Sequence, residues 1–236
     1  MNRPFNFAPG EYYHIYNRGV DKREVFLDSL DYDRFILGLV NANNKEVFYI
    51  RDVKKKLGSK YKGLETCLDL CDDTLVDIGV WCLMPNHFHL LVKEKEEGGL
   101  VKFLHKLETG YTMYFNKKNE RSGSLFEATF KAEHVSQDNH LKYLYSYIHL
   151  NPVKLIQLDW KEKGIKNLKK TLSFMSNFYR SSYLDYLGID RIEKGIINPK
   201  VFPEYFLEEG SFEGEILEWL KYSDLDDRPR LNLSKN

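Results

Sequence analysis

The stretch Trp81-Cys-Leu-Met-Pro-Asn-His-Phe-His-Leu-Leu-Val-Lys93 places two histidines, His87 and His89, one residue apart inside an apolar run. Pro85-Asn86 reads as a turn joining two strands, because proline presets its own dihedral and asparagine tolerates tight turn conformations. On the second strand side chains alternate between faces, so His87 and His89 point one way and Phe88 the other. Two imidazoles aimed at one spot make half of a divalent-metal site, and a further ligand must come from elsewhere in the chain. Taken alone, the pair is better explained as ordinary strand histidines satisfied by hydrogen bonds.

Upstream, Glu11-Tyr-Tyr-His-Ile-Tyr-Asn-Arg18 alternates, is rich in aromatics and ends at Gly19, which predicts a strand and a turn. Residues 28–40 carry early acidic residues and an apolar stripe at Tyr32, Phe35, Ile36, Leu39 and Val40, an amphipathic helix with charge suited to its dipole. From about residue 45 to 74 the chain is lysine-rich and shows no clear period, which reads as an insertion, partly helical. Downstream of the histidines, Leu100, Phe103, Leu104, Leu107, Tyr111, Tyr114 and Phe115 recur at helical spacing. A polar turn over 119–124 is followed by an expected strand from Phe126 to Val135, and Asp138 is placed to cap a helix over 139–150 that Pro152 ends.

The order strand, helix, strand, strand, helix, strand, helix predicts an α+β fold, an antiparallel sheet of the split βαβ sort with helices on one face and the histidine strand central. The last helix is then placed to cross the histidine face. Residues 1–158 read as the principal domain and 159–236 as a partly helical C-terminal extension.

With 236 residues, 42% of them hydrophobic and 14% aromatic, the chain has enough apolar material for a full core. No apolar run approaches membrane-spanning length and the first residues lack the core of a secretion signal, so the expected compartment is the cytoplasm, with no membrane partner. Three cysteines, Cys67, Cys71 and Cys82, agree with a reducing compartment, and Cys67 with Cys71 lacks the second pair that a zinc site needs. A formal net charge of +0 gives no general attraction to nucleic acid, but the charge is patchy. Lysines cluster at 54–62 and 161–170, and acidic residues run from Glu204 through Glu208, Glu209, Glu213, Glu215, Glu218 and Asp224 to Asp227.

In the helix 141–150, Leu141, Leu144, Tyr145 and Ile148 form the buried stripe. At about 100° per residue, His140, Tyr143, Tyr147 and Asn151 fall together on one flank of it. Asn151 lies one turn after Tyr147, so an amide oxygen and a phenol oxygen approach the same region. Tyr147 alone, one of 16 tyrosines in the chain, reads first as a packing tyrosine with a tethered hydroxyl, and Asn151-Pro152 alone as a helix stop.

Met84-Pro-Asn-His-Phe-His-Leu-Leu-Val92 and Tyr147-Ile-His-Leu-Asn-Pro-Val153 together resemble the two signature blocks of HUH-type single-tyrosine transposases, specifically the REP-associated tyrosine transposase-like branch. Tyr13-His-Ile-Tyr-Asn-Arg-Gly19, Gly123-Ser-Leu-Phe-Glu127 with Phe130-Lys-Ala132, and Tyr179-Arg-Ser-Ser-Tyr183 match in the same order, so the resemblance covers most of residues 11–187. It implies that His87 and His89 bind a divalent metal, magnesium or manganese, and that Tyr147 is the nucleophile forming a 5′-phosphotyrosine intermediate on single-stranded DNA beside a hairpin. In related transposases a glutamine one turn after the tyrosine is the third ligand. Asn151 holds that place here with a side chain one methylene shorter, reaching the ion directly or through a water. Arg18, Arg121 and Lys131, on or beside the expected sheet, are the candidate phosphate contacts. A nicking replication initiator or relaxase is the alternative within related chemistry. A non-cleaving single-stranded nucleic-acid-binding module, or a metal-dependent hydrolase in which Tyr147 only packs, is the alternative outside it. Whether a homodimer forms, and whether the tyrosine helix then serves its own or a partner's site, the sequence leaves open.

Overall fold

The computed structural model of the protein describes residues 6–46, 48–206 and 210–221. Glu208, Glu209, Asp224 and Asp227 of the acidic end lie outside the described residues. Four strands, β1 (Tyr12–Arg18), β2 (Val76–Met84), β3 (His87–Glu94) and β4 (Lys131–His134), form one antiparallel sheet in the order β2-β3-β1-β4. The histidine strand β3 is internal, hydrogen-bonded to β2 and to β1. Helices α1 (Ser29–Asn41) and α4 (Gly99–Lys118) cover one face, giving the α+β class and split βαβ order expected.

Residue type and alternation decide which face each side chain takes. Phe88, Leu90 and Val92 of β3 join Tyr13 and Ile15 of β1 under α1 and α4, while Leu91 belongs to a second apolar cluster on the other face. All five predicted stripe residues of α1 are buried, and the helix starts at Asp28, whose side chain accepts from the backbone N–H of Asp31. Helix α5 (Asp138–His149) lies across the histidine face, with Leu141, Leu144, Tyr145 and Ile148 packed on Val80, Cys82 and Met84 of β2 and on Leu91. That face could not stay bare, since β2 presents apolar side chains on both sides.

Three local expectations are corrected. Strand β4 is only four residues long; Phe126 and Phe130 instead reach the core from the irregular segment before it. Asp138 lies in the first turn of α5, not at its cap, and its Oδ1 accepts a 2.5 Å hydrogen bond from the Tyr205 hydroxyl. The segment 45–74 is partly helical as expected, with α2 (Ile50–Leu57) and α3 (Leu64–Asp69), but α3 is no mere insertion, since it buries Thr66 and Cys67 toward α1 while α2 buries none of its residues.

The chain after Asn151 braces the opposite edge of the sheet. Helices α6 (Trp160–Lys163), α7 (Leu168–Ser176), α8 (Tyr183–Tyr186) and α9 (Ser211–Lys221) contribute to a third apolar cluster that includes Leu150 and Val153 at the end of α5. Between α7 and α8, residues 180–182 pair with β2: Leu83 N–H donates to Arg180 O and Ser182 N–H to Trp81 O, both at 2.9 Å. An edge that would otherwise expose unpaired backbone groups is thereby closed. The Arg180 guanidinium also stacks on Tyr32 of α1, 3.6 Å from the ring centroid.

A bulge between Ile78 and Val80 sets the parity of β2. It lets Ile78 face α1 and α4 while Val80 faces α5, and Gly79 between them accepts the Phe202 ring. A Cβ at Gly79 would lie 2.7 Å from that ring. Gly79→Ala is therefore expected to destabilise the protein by about 1–3 kcal/mol, the usual cost of overpacking. The shift should appear in the urea midpoint, and an unchanged midpoint would show that Phe202 moves aside freely.

Candidate active site

The antiparallel register lines up one polar face. Arg18 pairs with His87 and Tyr16 with His89 across β1 and β3, while Lys131 pairs with Tyr16 and Glu133 with His14 across β1 and β4. Cross-strand partners share a face, so His14, Tyr16, Arg18, His87, His89, Lys131 and Glu133 all project to the side that α5 crosses. Below Tyr147 and Asn151 a cleft of about 290 Å³ remains. The two histidines of β3, Tyr147, Asn151, Arg18 and Lys131 line it together, with His14, Asn86 and Lys154.

Within one chain the Tyr147 ring stands 5.8 Å from His89 and 5.9 Å from His14 between centroids, edge-on to both. His87 and His89 are 5.0 Å apart, also edge-to-face. His87 Nδ1 is 2.6 Å from Asn86 Oδ1. An amide oxygen only accepts, so that ring carries its proton on Nδ1 and turns the lone pair of Nε2 to the cleft. His89 Nδ1 lies 3.0 Å from His14 Nε2, with the two rings stacked. Burial, helped by the charges of Lys154 and Arg18, lowers the His87 imidazole to about 4. His89 is held well below its ordinary value, first by burial and then by the rings of His87 and His14. Both are neutral near pH 7, the form in which imidazole binds a metal.

The Tyr147 phenol is pushed up by burial, against a smaller lowering by Asn151. Its deprotonation needs positive charge nearby, and the Lys161 ammonium lies 4.2 Å from its ring centroid. Asn151 is buried; its Nδ2 donates to the Tyr147 carbonyl at 3.0 Å and its Oδ1 has no hydrogen-bond partner among the described residues. Among those residues no group of three or more His, Cys, Asp or Glu side chains is arranged to hold a metal ion. The donor set that fits one is mixed: two neutral imidazoles and this orphaned amide oxygen. A buried acceptor without a donor is costly, which a cation beside it would relieve.

Of the candidate phosphate contacts, two reach the cleft and one does not. Arg18 lines it while pairing with Glu127 at 2.8 Å, and Lys131 lies 5.7 Å over the Tyr16 ring. Arg121 is instead engaged in the turn after α4, donating to Asn116 Oδ1 at 2.5 Å and to Ser124 O at 3.0 Å. Sequence reading missed His14, Asn86 and Lys154 as site residues and placed Lys161 only in the basic cluster of the extension. A signal existed for His14, which shares alternation parity with Arg18 on a strand next to the histidines; Lys161 comes to Tyr147 only through the tertiary path of the extension.

One buried contact sets α5 over the sheet. His149, two residues after Tyr147 and fully buried, has Nε2 2.8 Å from Ser182 Oγ. Ser182 Oγ also accepts from the Trp81 backbone N–H at 3.0 Å. The hydroxyl thus ties helix, β2 and the bracing segment at one point.

Residues 39–151, from the end of α1 through Asn151, match the family described as Transposase IS200 like. That segment carries His87, His89 and Tyr147, so the part of the chain that builds the cleft is similar to IS200-like transposases. Among solved structures the chain is similar to a REP-associated tyrosine transposase bound to a REP hairpin, at 13% identity over 82% of this chain and 89% of that one, with a TM-score of 0.47. It is also similar to a putative transposase from Deinococcus radiodurans R1, at 14% identity over 62% of this chain and 95% of that one, with a TM-score of 0.32. No curated protein sequence matches the chain.

Ser182→Ala would strip hydrogen bonds from His149 and from the Trp81 N–H at once. The expected cost is about 1–3 kcal/mol, that of leaving buried polar groups unpaired, read as a lower urea midpoint with unchanged slope. A midpoint equal to wild type would exclude Ser182 as the anchor of α5.

Proposed function

We propose that the protein nicks and rejoins single-stranded DNA through a 5′-phosphotyrosine intermediate on Tyr147, acting within one chain. The observation that carries this reading is the position of the Tyr147 ring over His89 and His14 in a single cleft, with Arg18, Lys131 and Lys154 around it. His87 and His89, through Nε2, and Asn151, through Oδ1, would hold a magnesium or manganese ion. When bound, that ion supplies Lewis-acid stabilisation for negative charge on the non-bridging phosphate oxygens.

The residues of the chain do the rest. Arg18 and Lys131 hold the phosphodiester backbone along the β1 and β4 side of the cleft. The Tyr147 oxygen attacks phosphorus in line; the bond from phosphorus to the 3′-oxygen breaks, the phenol gives up its proton, and the departing 3′-oxygen takes one up. The DNA 5′-phosphate stays on Tyr147 as an ester, whose energy is kept for attack by the 3′-hydroxyl of a second strand. Lys161 beside the ring favours the phenolate that burial disfavours. A single strand suits the site because unstacked bases can lie on aromatic rings such as Tyr16 and Tyr143. That the substrate carries a hairpin beside the cleavage site rests on the sequence resemblance. Residues 1–158 are then the catalytic unit, and the described residues of the extension from 159 onward act as its brace.

With magnesium and a single-stranded oligonucleotide bearing a hairpin, the wild-type protein should give a DNA adduct that survives denaturing electrophoresis, and Tyr147→Phe should give none. Cleavage persisting in Tyr147→Phe would remove it as nucleophile; DNA binding without an adduct under any divalent metal would favour a non-cleaving module. The doubly substituted His87→Ala, His89→Ala protein should lose metal-dependent cleavage altogether.

The two arginines separate cleft from scaffold. Arg18→Ala should weaken single-stranded DNA binding and reduce the slope of log affinity against log salt by about 0.7, the value for one lost phosphate contact. Arg121→Ala should lower thermal stability and leave that slope unchanged, and equal slopes for the two variants would refute the assignment.

A further inference from the structure

Two sheet residues outside the Tyr147 and His87/His89 blocks bear on this site. His14 is buried and engages His89 through Nε2, and its other nitrogen, Nδ1, has no hydrogen-bond partner among the described residues. Facing Nδ1 at 3.8 Å is Glu133 Oε2, too far for a hydrogen bond but the distance of an ion pair, on a carboxylate about one-third exposed. The other oxygen of Glu133 lies 3.9 Å from His140 Nε2. Register enforces the alignment, because Glu133 is the β4 partner of His14 while His89 sits on the far side of β1.

Only two neutral proton arrangements satisfy the 3.0 Å contact between the rings. If His14 donates from Nε2, its Nδ1 turns a lone pair toward a carboxylate, and His89 is left with its proton on Nε2, in the cleft. If His14 carries its proton on Nδ1, that proton points at Glu133, Nε2 accepts from His89 Nδ1–H, and His89 Nε2 offers a lone pair to the cleft. A carboxylate accepts and does not donate, so electrostatics selects the second. It gives His89 the same arrangement that Asn86 imposes on His87 by direct contact.

We infer that His14 is a positioning residue, oriented by Glu133, that sets the tautomer of His89 so that both histidines of β3 present an unprotonated Nε2 to the cleft. The inference rests on the proposed metal-binding role of His87 and His89, yet it concerns the metal-free protein and is tested there. A ligating histidine is normally fixed in this way through its second nitrogen, and loss of such a partner costs about 10–100-fold in metal affinity.

The experiment is long-range ¹H–¹⁵N correlation on the full chain, ¹⁵N-labelled in histidine and freed of metal with a chelator, near pH 7. Wild-type His87 and His89 should both carry the proton on Nδ1. In His14→Phe, His89 should move wholly or partly to the Nε2–H form while His87, held by Asn86, stays as it was; Glu133→Gln, at a position about one-third exposed, should shift His89 in the same direction and serves if His14→Phe does not fold. Manganese affinity, followed by water-proton relaxation, should fall about 10–100-fold in the same variants. A wild-type His89 protonated on Nε2, a His89 tautomer indifferent to both substitutions, or an unchanged manganese affinity would each overturn the inference. Failure of the wild-type protein to bind manganese at all, with the tautomers as expected, would strike the proposed metal-dependent function instead.

Discussion

Strand β3 is buried on both faces and hydrogen-bonded on both edges, and the rest of the structure depends on that. Its backbone groups are paired by β1 and β2, so the side chains have no freedom but alternation. Phe88 is fully buried against Phe35 and Phe126 under α1 and α4, which sends His87 and His89 to the other side. A slip of one residue would drive two imidazoles into the apolar core and push Phe88 into the cleft. Neighbouring strands conform to the same parity, and the bulge at Gly79 lets β2 feed both cores as it passes.

Burying histidines in such a place is costly unless each ring finds a hydrogen-bond partner. His87 leans on Asn86, His89 on His14, and His149 on Ser182, each ring with a partner close by in space. The same low-dielectric surroundings that keep the β3 imidazoles neutral make the Tyr147 phenol harder to ionise. The Lys161 ammonium lies over the Tyr147 ring, and Arg18, Lys131 and Lys154 line the cleft below it. A chain with formal net charge +0 thus carries a cleft with four cations near one phenol. For a polyanionic substrate the local sum matters more than the total.

Legibility in the sequence followed the range of the interactions. The stripe of α1, the alternation of β3 and the four apolar positions of α5 were readable because one face of each element is set by its own period. Strand β4 and the core role of α3 in the segment 45–74 were misread because Phe126, Phe130 and Cys67 are buried by what packs on them, without a period of their own. Arg121 shows the same limit: a charge near the sheet in sequence is engaged by the turn in which it sits. Asn86 was read as a turn residue, and only its contact with the next ring reveals that it also sets a tautomer.

By itself the sequence determined the α+β order, the face shared by His87 and His89, and the flank shared by Tyr147 and Asn151, since periods of two and about 3.6 residues are local properties of the backbone. Tertiary structure decided that these two pairs meet in one chain, that His14 and Glu133 stand behind His89, and that Lys161 reaches Tyr147. Those juxtapositions depend on sheet register and on the path of the bracing segment, which are set by burial summed over the whole molecule.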